Sequence, residues 1–272
     1  YQGDSFHKGW NLLIEQSKDE IVSILKNVTH IWISHEHPDH FSINFFNNYK
    51  EIIQNQKIII LFQETRDNRV KNFFLQNKFE FITLKFKKTF VLNQNFKITC
   101  IKDGFYDSAL FIETKDKKIL NLNDCLVNTA ERANEILNIT GECDILFTQF
   151  SYAAWKGGER NLSWRKLAAQ EKLDSIFLQV KKFKPSQIVP FASFIYFSNE
   201  SNKYLNDSVN TPQNVLEKLK NTEVLVNIVK PFDYIEDNEL LNKIKQANDF
   251  WENKFGNIFK NKFNKYDLVE VT

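Results

Sequence analysis

Val28-Thr29-His30-Ile31-Trp32-Ile33-Ser34-His35-Glu36-His37-Pro38-Asp39-His40 runs a β-branched, aromatic segment directly into three histidines and an aspartate. The first part, 28–34, reads as a buried strand, because branched and aromatic side chains pack well on a pleated surface. Alternate residues of an extended segment point the same way, so His35 and His37 face one metal ion. Pro38 promotes a turn, and Asp39 and His40 just beyond it face a second ion nearby. A dinuclear site needs its ligands split into two adjacent groups, and the H-x-H-x-D-H spacing supplies that split. The alternative is a surface loop rich in histidine by chance. All five histidines fall in the first forty residues and three of them in this one loop, which argues against chance.

Outward from the loop, the chain alternates strands and helices. Residues 21–25 and 41–53 carry helical patterns, 57–62 is a second buried strand, and 65–76 is amphipathic. Short strands follow at 79–86, 89–92, 96–101, 108–113 and 118–122, with hairpin chemistry at Lys115-Asp116-Lys117. Helices are expected at 129–138, 162–182 and 212–220, with strands at 144–148, 187–191 and 223–228 and a loop at 192–202. The order favours a layered α/β fold, read as one domain over 1–272 with a helical C-terminal extension at about 236–265.

Composition narrows the function classes. Among 272 residues the formal net charge is +2 and no basic tract dominates, so a nucleic-acid protein is disfavoured. Lys181-Lys182-Phe183-Lys184 reads as the solvated end of a helix. No run of 18 apolar residues exists, so no membrane partner is expected. Three scattered cysteines, Cys100, Cys125 and Cys143, are too few for a disulfide framework, and a cytoplasmic location is expected. The 26 phenylalanines read as core filling. The sequence starts at Tyr1 and holds no Met, so upstream structure is expected to be missing.

The rest of the ligand set must come from elsewhere than histidine. Only His7 and His30 remain, and His30 lies inside the strand, where a core or supporting role suits it. Carboxylates are therefore expected. Asp107 opens the strand 108–113 and Asp124 follows the strand 118–122; strands joined by a short hairpin have neighbouring ends, so the two can approach one pole of the sheet. Turn capping is the alternative for each.

H-x-H-x-D-H after a strand, with a later bridging Asp, resembles the metallo-β-lactamase superfamily, and within it the metal-binding domain of the CMP-N-acetylneuraminate hydroxylase family. The matching pieces are Phe6-His7-Lys8-Gly9-Trp10-Asn11-Leu12-Leu13, the metal loop Ile33 to Ser42, Asp107-Ser108, Lys118 to Asn121, Asp124-Cys125, Pro190 to Phe194, and Lys203-Tyr204. The resemblance implies a metallo-β-lactamase-like αββα sandwich lacking its first strands in this chain. It also implies His35, His37, Asp39, His40 and Asp124 as metal ligands, Asp124 bridging. Asp107 stands near the place where hydrolases of the superfamily carry another His, and a carboxylate there resembles the di-iron oxygenases on this fold. Replacing imidazole by carboxylate hardens the site, favouring iron, with zinc and manganese as the other metals it suits. Two divalent ions are the cofactors expected.

Departures matter. The hydroxylase family carries a Rieske iron–sulfur domain, and the paired Cys/His spacing for it is absent, so an oxygenase reading requires a separate electron-transfer partner. The late His of superfamily hydrolases is missing too. Three functions compete: a di-iron hydroxylase acting on a sugar-nucleotide or N-acyl small molecule; a hydrolase of an ester, lactone or phosphoester, in which Asp39 orients the attacking water; and a metal-binding module without turnover. Ser151 to Arg160 follows a strand and combines a flat aromatic with cations, a composition suited to a sugar or nucleotide phosphate. Trp155, Lys156 and Arg160 are the substrate candidates there, with Lys203 and Tyr204 beside them and Trp164 and Arg165 of the same kind.

Overall fold

In chain order the elements are strand β1 (Trp10–Leu12), helix α1 (Lys18–Leu25), β2 (His30–Ile33), α2 (Ile43–Asn48), α3 (Lys50–Asn55), β3 (Ile59–Gln63), α4 (Arg69–Gln76) and β4 (Glu80–Leu84). Four strands follow, β5 (Thr89–Asn93), β6 (Phe96–Asp103), β7 (Asp107–Thr114) and β8 (Lys118–Asn121). Then come α5 (Ala130–Thr140), β9 (Ile145–Gln149), α6 (Leu162–Phe183), β10 (Gln187–Phe191), β11 (Ile195–Phe197), α7 (Pro212–Leu219), β12 (Leu225–Val226) and α8 (Leu240–Gly256). This computed structural model describes residues 9–233 and 240–265. The described chain divides into two compact units, 14–126 and, together, 9–13 with 127–233 and 240–265.

In the first unit β2, β3 and β4 run parallel, Ile31 beside Ile60 and Ile60 beside Phe81. Parallel neighbours need a crossover, and α2 with α3, then α4, supply the two. Helix α1 opens on a capping box: Ser17 Oγ accepts from Glu20 N–H, and Glu20 Oε2 accepts from Ser17 N–H at 2.7 Å. One face of this sheet packs Ile33, Ile60 and Phe62 against Ile21, Leu25, Phe46, Ile53, Val70 and Phe74 from the helices. Phe74 meets Phe46 edge to face at 4.7 Å, one use of the phenylalanine surplus. The other face packs Trp32, Leu61 and Leu84 against Ile98, Cys100 and Leu110 of the antiparallel meander β5–β8. The layers are helices, sheet, sheet. β3 is apolar along almost its whole length because both of its faces are covered.

The second unit holds β9, β10 and β12 in parallel, the 22-residue α6 with Ala168, Leu173, Ile176 and Phe183 buried, and the antiparallel pair β1–β11. Trp251 of α8 stacks on Phe194 at 3.9 Å and donates its indole N–H to the Val229 carbonyl. Residues 236–239 of the expected C-terminal extension lie outside the described residues, as do Phe6, His7 and Lys8. Among the described residues no helix is long and apolar enough to cross a membrane.

Two local expectations are corrected. The single helix expected over 41–53 breaks at Tyr49, whose backbone leaves the helical region (φ −111°, ψ 14°) while its ring is buried in the core. The loop expected at 192–202 contains β11, which pairs with β1. Strands of three residues carry too little periodicity to declare themselves, and their partners lie far apart in the chain.

Candidate metal centre

β2 ends at Ile33, and the chain then buries Ser34 and His35, at 3% and 0% exposure. His37, Pro38, Asp39 and His40 form a turn closed by the His40 N–H donating to the His37 carbonyl at 2.9 Å, with Pro38 at the position its fixed φ favours. The turn folds the loop back on itself. His35 Nε2 lies 2.8 Å from His37 Nδ1, and the His35 and His40 rings sit with centroids 4.1 Å apart.

The carboxylates arrive from the meander. β7 pairs antiparallel with β8 with Leu110 opposite Asn121, so Asp107, three residues before Leu110, and Asp124, three after Asn121, lie towards the same end of the hairpin. Asp124 Oδ2 lies 3.1 Å from His40 Nε2, and Asp39 Oδ2 lies 3.5 Å from the same nitrogen. Asp107 Oδ1 lies 3.1 Å from His35 Nδ1. Ligand atoms of His35, His40 and Asp124 are all within 4.8 Å of one another. The structure thus brings together His35, His37, Asp39, His40, Asp107 and Asp124, while His30 turns aside to the Thr29 hydroxyl at 2.9 Å.

Electrostatics fit a cation here. Asp107 Oδ1 is buried and receives no hydrogen bond, an arrangement that costs free energy unless a cation meets it. Burial, then the charge of Asp124, pushes the Asp107 carboxyl up to about 6. Burial raises Asp39 as well, against the pull of His40. His35 is driven down to about 3 by burial and by the neighbouring His40 and His37, with Asp124 opposing. For His40 burial is outweighed by the hydrogen bond and charge of Asp124, so its pKa rises. Imidazoles facing crowded carboxylates are the donor set that a divalent metal takes.

Four buried polar residues around the loop escaped the sequence reading. Gln63 Nε2 donates to the carbonyls of Ser34, at 2.5 Å, and of Tyr106. Ser108 Oγ donates to the Ser34 carbonyl at 2.7 Å, and Asn123 Nδ2 to the Ser34 hydroxyl at 2.7 Å. The signal available for them was adjacency, since Ser34, Ser108 and Asn123 each neighbour a candidate ligand.

The substrate candidates belong to the second unit. Trp155 is 60% exposed and meets Trp164 edge to face at 5.3 Å; Arg160 is exposed and Lys156 half-buried. Lys203 pairs with Glu200 at 2.6 Å, and the Tyr204 hydroxyl donates to the Gly157 carbonyl at 3.3 Å. Arg165 is buried and committed to its neighbours. It donates to both oxygens of Asp207, at 2.8 and 2.6 Å, and to the carbonyls of Gly158 and Glu159. The Ser151–Arg160 loop is therefore built on Arg165. Gly157 adopts φ +80°, and a Cβ there would stand 2.6 Å from Asn161 Cβ.

No family model matches the chain. Among solved structures, a variant of the CmlA β-hydroxylase, a Streptomyces venezuelae protein, superposes with a TM-score of 0.51 at 9% identity, over 72% of this chain and 42% of that one. This chain is a metallo-β-lactamase-fold protein. YhfI from Bacillus subtilis, a metallo-β-lactamase-fold protein by name, gives a TM-score of 0.47 at 13% identity over 76% of each chain. In sequence, the chain is similar to cytidine monophosphate-N-acetylneuraminic acid hydroxylase of Cricetulus griseus, 26% identical over 222 residues. That match takes in 76% of this chain and 38% of the hamster protein, so the chain spans well under half the length of that relative. The metallo-β-lactamase-like fold implied by the metal loop and the likeness to the hydroxylases implied by the other matching pieces both stand.

Proposed function

We propose that this chain is a dinuclear metalloenzyme of the hydroxylase type, with two irons held by His35, His37, Asp39, His40, Asp107 and Asp124. The observation that carries the reading is the make-up of the cluster: three imidazoles and three carboxylates from three chain segments, with the buried Asp107 Oδ1 left without a hydrogen bond. His35 and His37 meet at one end of the cluster and Asp39 and His40 at the other, with Asp124 at His40 and within 4.8 Å of His35, a spread of donors that would suit two ions. Half of the donors are carboxylates, and so hard a set favours iron, or manganese, over zinc. Bound there, such a pair of ions supplies the activation of dioxygen that a hydroxylation requires.

The chain's own residues do the remaining work. The turn at Pro38 holds Asp39 and His40 against Asp124, and burial keeps His35 neutral and able to donate its lone pair. The names of the hamster relative and of CmlA support a hydroxylation, and the former a sugar-nucleotide or N-acyl small molecule as substrate. Trp155, Lys156, Arg160, Lys203 and Tyr204 are the residues we assign to its recognition, with a separate protein delivering electrons.

Purification without oxygen followed by elemental analysis tests this. Two irons per chain, an optical band that changes on admitting oxygen, and a product one oxygen atom heavier than an N-acyl sugar nucleotide are expected. Stoichiometric zinc with esterase or phosphodiesterase turnover refutes the hydroxylase and installs the hydrolase. A protein that takes up no metal refutes both.

A further inference from the structure

One hydroxyl group touches both halves of the cluster. Ser34 Oγ lies 3.0 Å from His35 Nδ1 and 3.3 Å from His40 Nδ1. The other nitrogens of the same two rings meet candidate ligands, His35 Nε2 at His37 and His40 Nε2 at Asp124, while His35 Nδ1 itself also lies 3.1 Å from Asp107 Oδ1. Ser34 is 3% exposed, so water does not compete freely for these contacts.

The hydrogen-bond inventory of that hydroxyl is small. A serine oxygen offers one proton and two lone pairs. Asn123 Nδ2, at 2.7 Å, occupies one lone pair. What remains, one lone pair and one proton, faces two ring nitrogens, of which His35 Nδ1 has the Asp107 carboxylate as a second partner. An imidazole that uses Nε2 as a metal ligand carries its proton on Nδ1 and must donate it. How His35 uses the hydroxyl therefore limits what His40 can do with it, and the reverse.

The Ser34 backbone closes the same network. Its carbonyl accepts from Ser108 Oγ, next to Asp107, and from Gln63. Its hydroxyl accepts from Asn123, next to Asp124. The chain neighbours of both carboxylates are thus tied to the residue that precedes His35, although they lie 74 and 89 positions away.

We infer that Ser34 is a positioning residue that links the two ion sites, so that filling one changes the hydrogen-bond partner left to the histidine of the other. This rests on the dinuclear reading above. Removing a partner that orients a metal-bound histidine weakens metal binding by about 10–100-fold.

The test uses the full chain stripped of metal by a chelator and titrated with Co2+, read by calorimetry and by the visible absorption of the bound ion. Wild type is expected to take two ions. Ser34→Ala is expected to bind about 10–100-fold more weakly with a shifted visible band, and Ser34→Thr, which keeps the hydroxyl, to restore both. Asn123→Gly removes the amide yet suits the left-handed backbone there (φ +48°), and is expected to shift the band in the same direction; if Ser34→Ala does not fold, this variant decides. Thermal melting without metal separates positioning from structure. Wild-type affinity and spectrum in Ser34→Ala overturn the inference, as does equal weakening in the Ala and Thr variants with a matching fall in melting temperature. Wild type that binds only one ion overturns the link, and wild type that binds none refutes the dinuclear reading itself.

Discussion

Asp207→Ala is the sharpest perturbation of the second unit. Arg165 has a side chain only 2% exposed, and Asp207 accepts from its Nε and Nη2 at 2.8 and 2.6 Å. Deleting the carboxylate leaves a buried guanidinium with two unsatisfied donors. Removing one partner of a buried ion pair costs about 3–5 kcal/mol. Two charge-assisted hydrogen bonds at about 1.5–3 kcal/mol each lead to a similar range. Asp207 is about a third exposed, and water relieves part of the loss, so about 3 kcal/mol is expected. For a chain of this size that lowers Tm by roughly 6–12 °C, at about 2–4 °C per kcal/mol. The assay is thermal and urea unfolding of both proteins, with the double variant Asp207→Ala/Arg165→Met as control. An apolar pair of similar volume removes the uncompensated charge and should recover most of the loss. The pH dependence has a fixed sign. Burial alone would raise the Asp207 carboxyl, but the bonds from Arg165 outweigh it and hold it below the ordinary range. Its contribution is therefore complete above the unfolded pKa of about 3.9 and is lost as pH falls through the lower folded value. A loss under about 1 kcal/mol at neutral pH, or a double variant no more stable than the single, refutes the reasoning.

Other outcomes follow from the same contacts. Asp124→Ala should leave one metal ion per chain where two are expected in wild type, measured by elemental analysis after dialysis; an unchanged ratio removes Asp124 from the ligand set. Burial, eased slightly by a hydrogen bond from Ser108, pushes the Cys100 thiol up to about 12, so native protein at pH 8 should not react with a thiol-specific disulfide reagent at this position. The same shift makes its contribution to stability full below the unfolded pKa of about 8.5 and lost as pH climbs towards 12; a Cys100→Val variant should show a shallower alkaline loss in urea midpoints. Gly157→Ala meets both a positive φ and a contact of 2.6 Å, and should raise KM for substrate, if the loop binds it, with the metal content unchanged.

Legibility in the sequence followed the range of the interaction. The His35–His40 loop could be read because its candidate ligands lie within six residues and a strand precedes them. Asp107 and Asp124 could be read because a three-residue turn joins their strands, and register then carries one carboxylate beside the other. Ser34, Gln63, Ser108 and Asn123 could not, because an isolated serine or amide looks like loop filling until the fold brings it to a buried carbonyl. Arg165 misled for a related reason. A charged residue on a helix next to a Gly-rich loop suggests a ligand contact, and only the structure reveals the carboxylate 42 positions away that occupies it. The β1–β11 pair, three residues long on each side, left no periodic trace at all.

The β7–β8 hairpin has a consequence for how this site tolerates change. Its turn, Lys115-Asp116-Lys117, is exposed and sits at the end of the strands opposite to Asp107 and Asp124. The spacing of the two carboxylates depends on the register of β7 and β8 and on the short turn after Asn121, where Asn123 is left-handed (φ +48°). Insertions at Asp116, whether arising in evolution or introduced as a fluorescent or affinity tag, lengthen the turn without moving either carboxylate, while a single-residue insertion within either strand turns one of them away. The most tolerant stretch of the hairpin and its least forgiving one are thus only a few residues apart, and that turn is the place to label the protein.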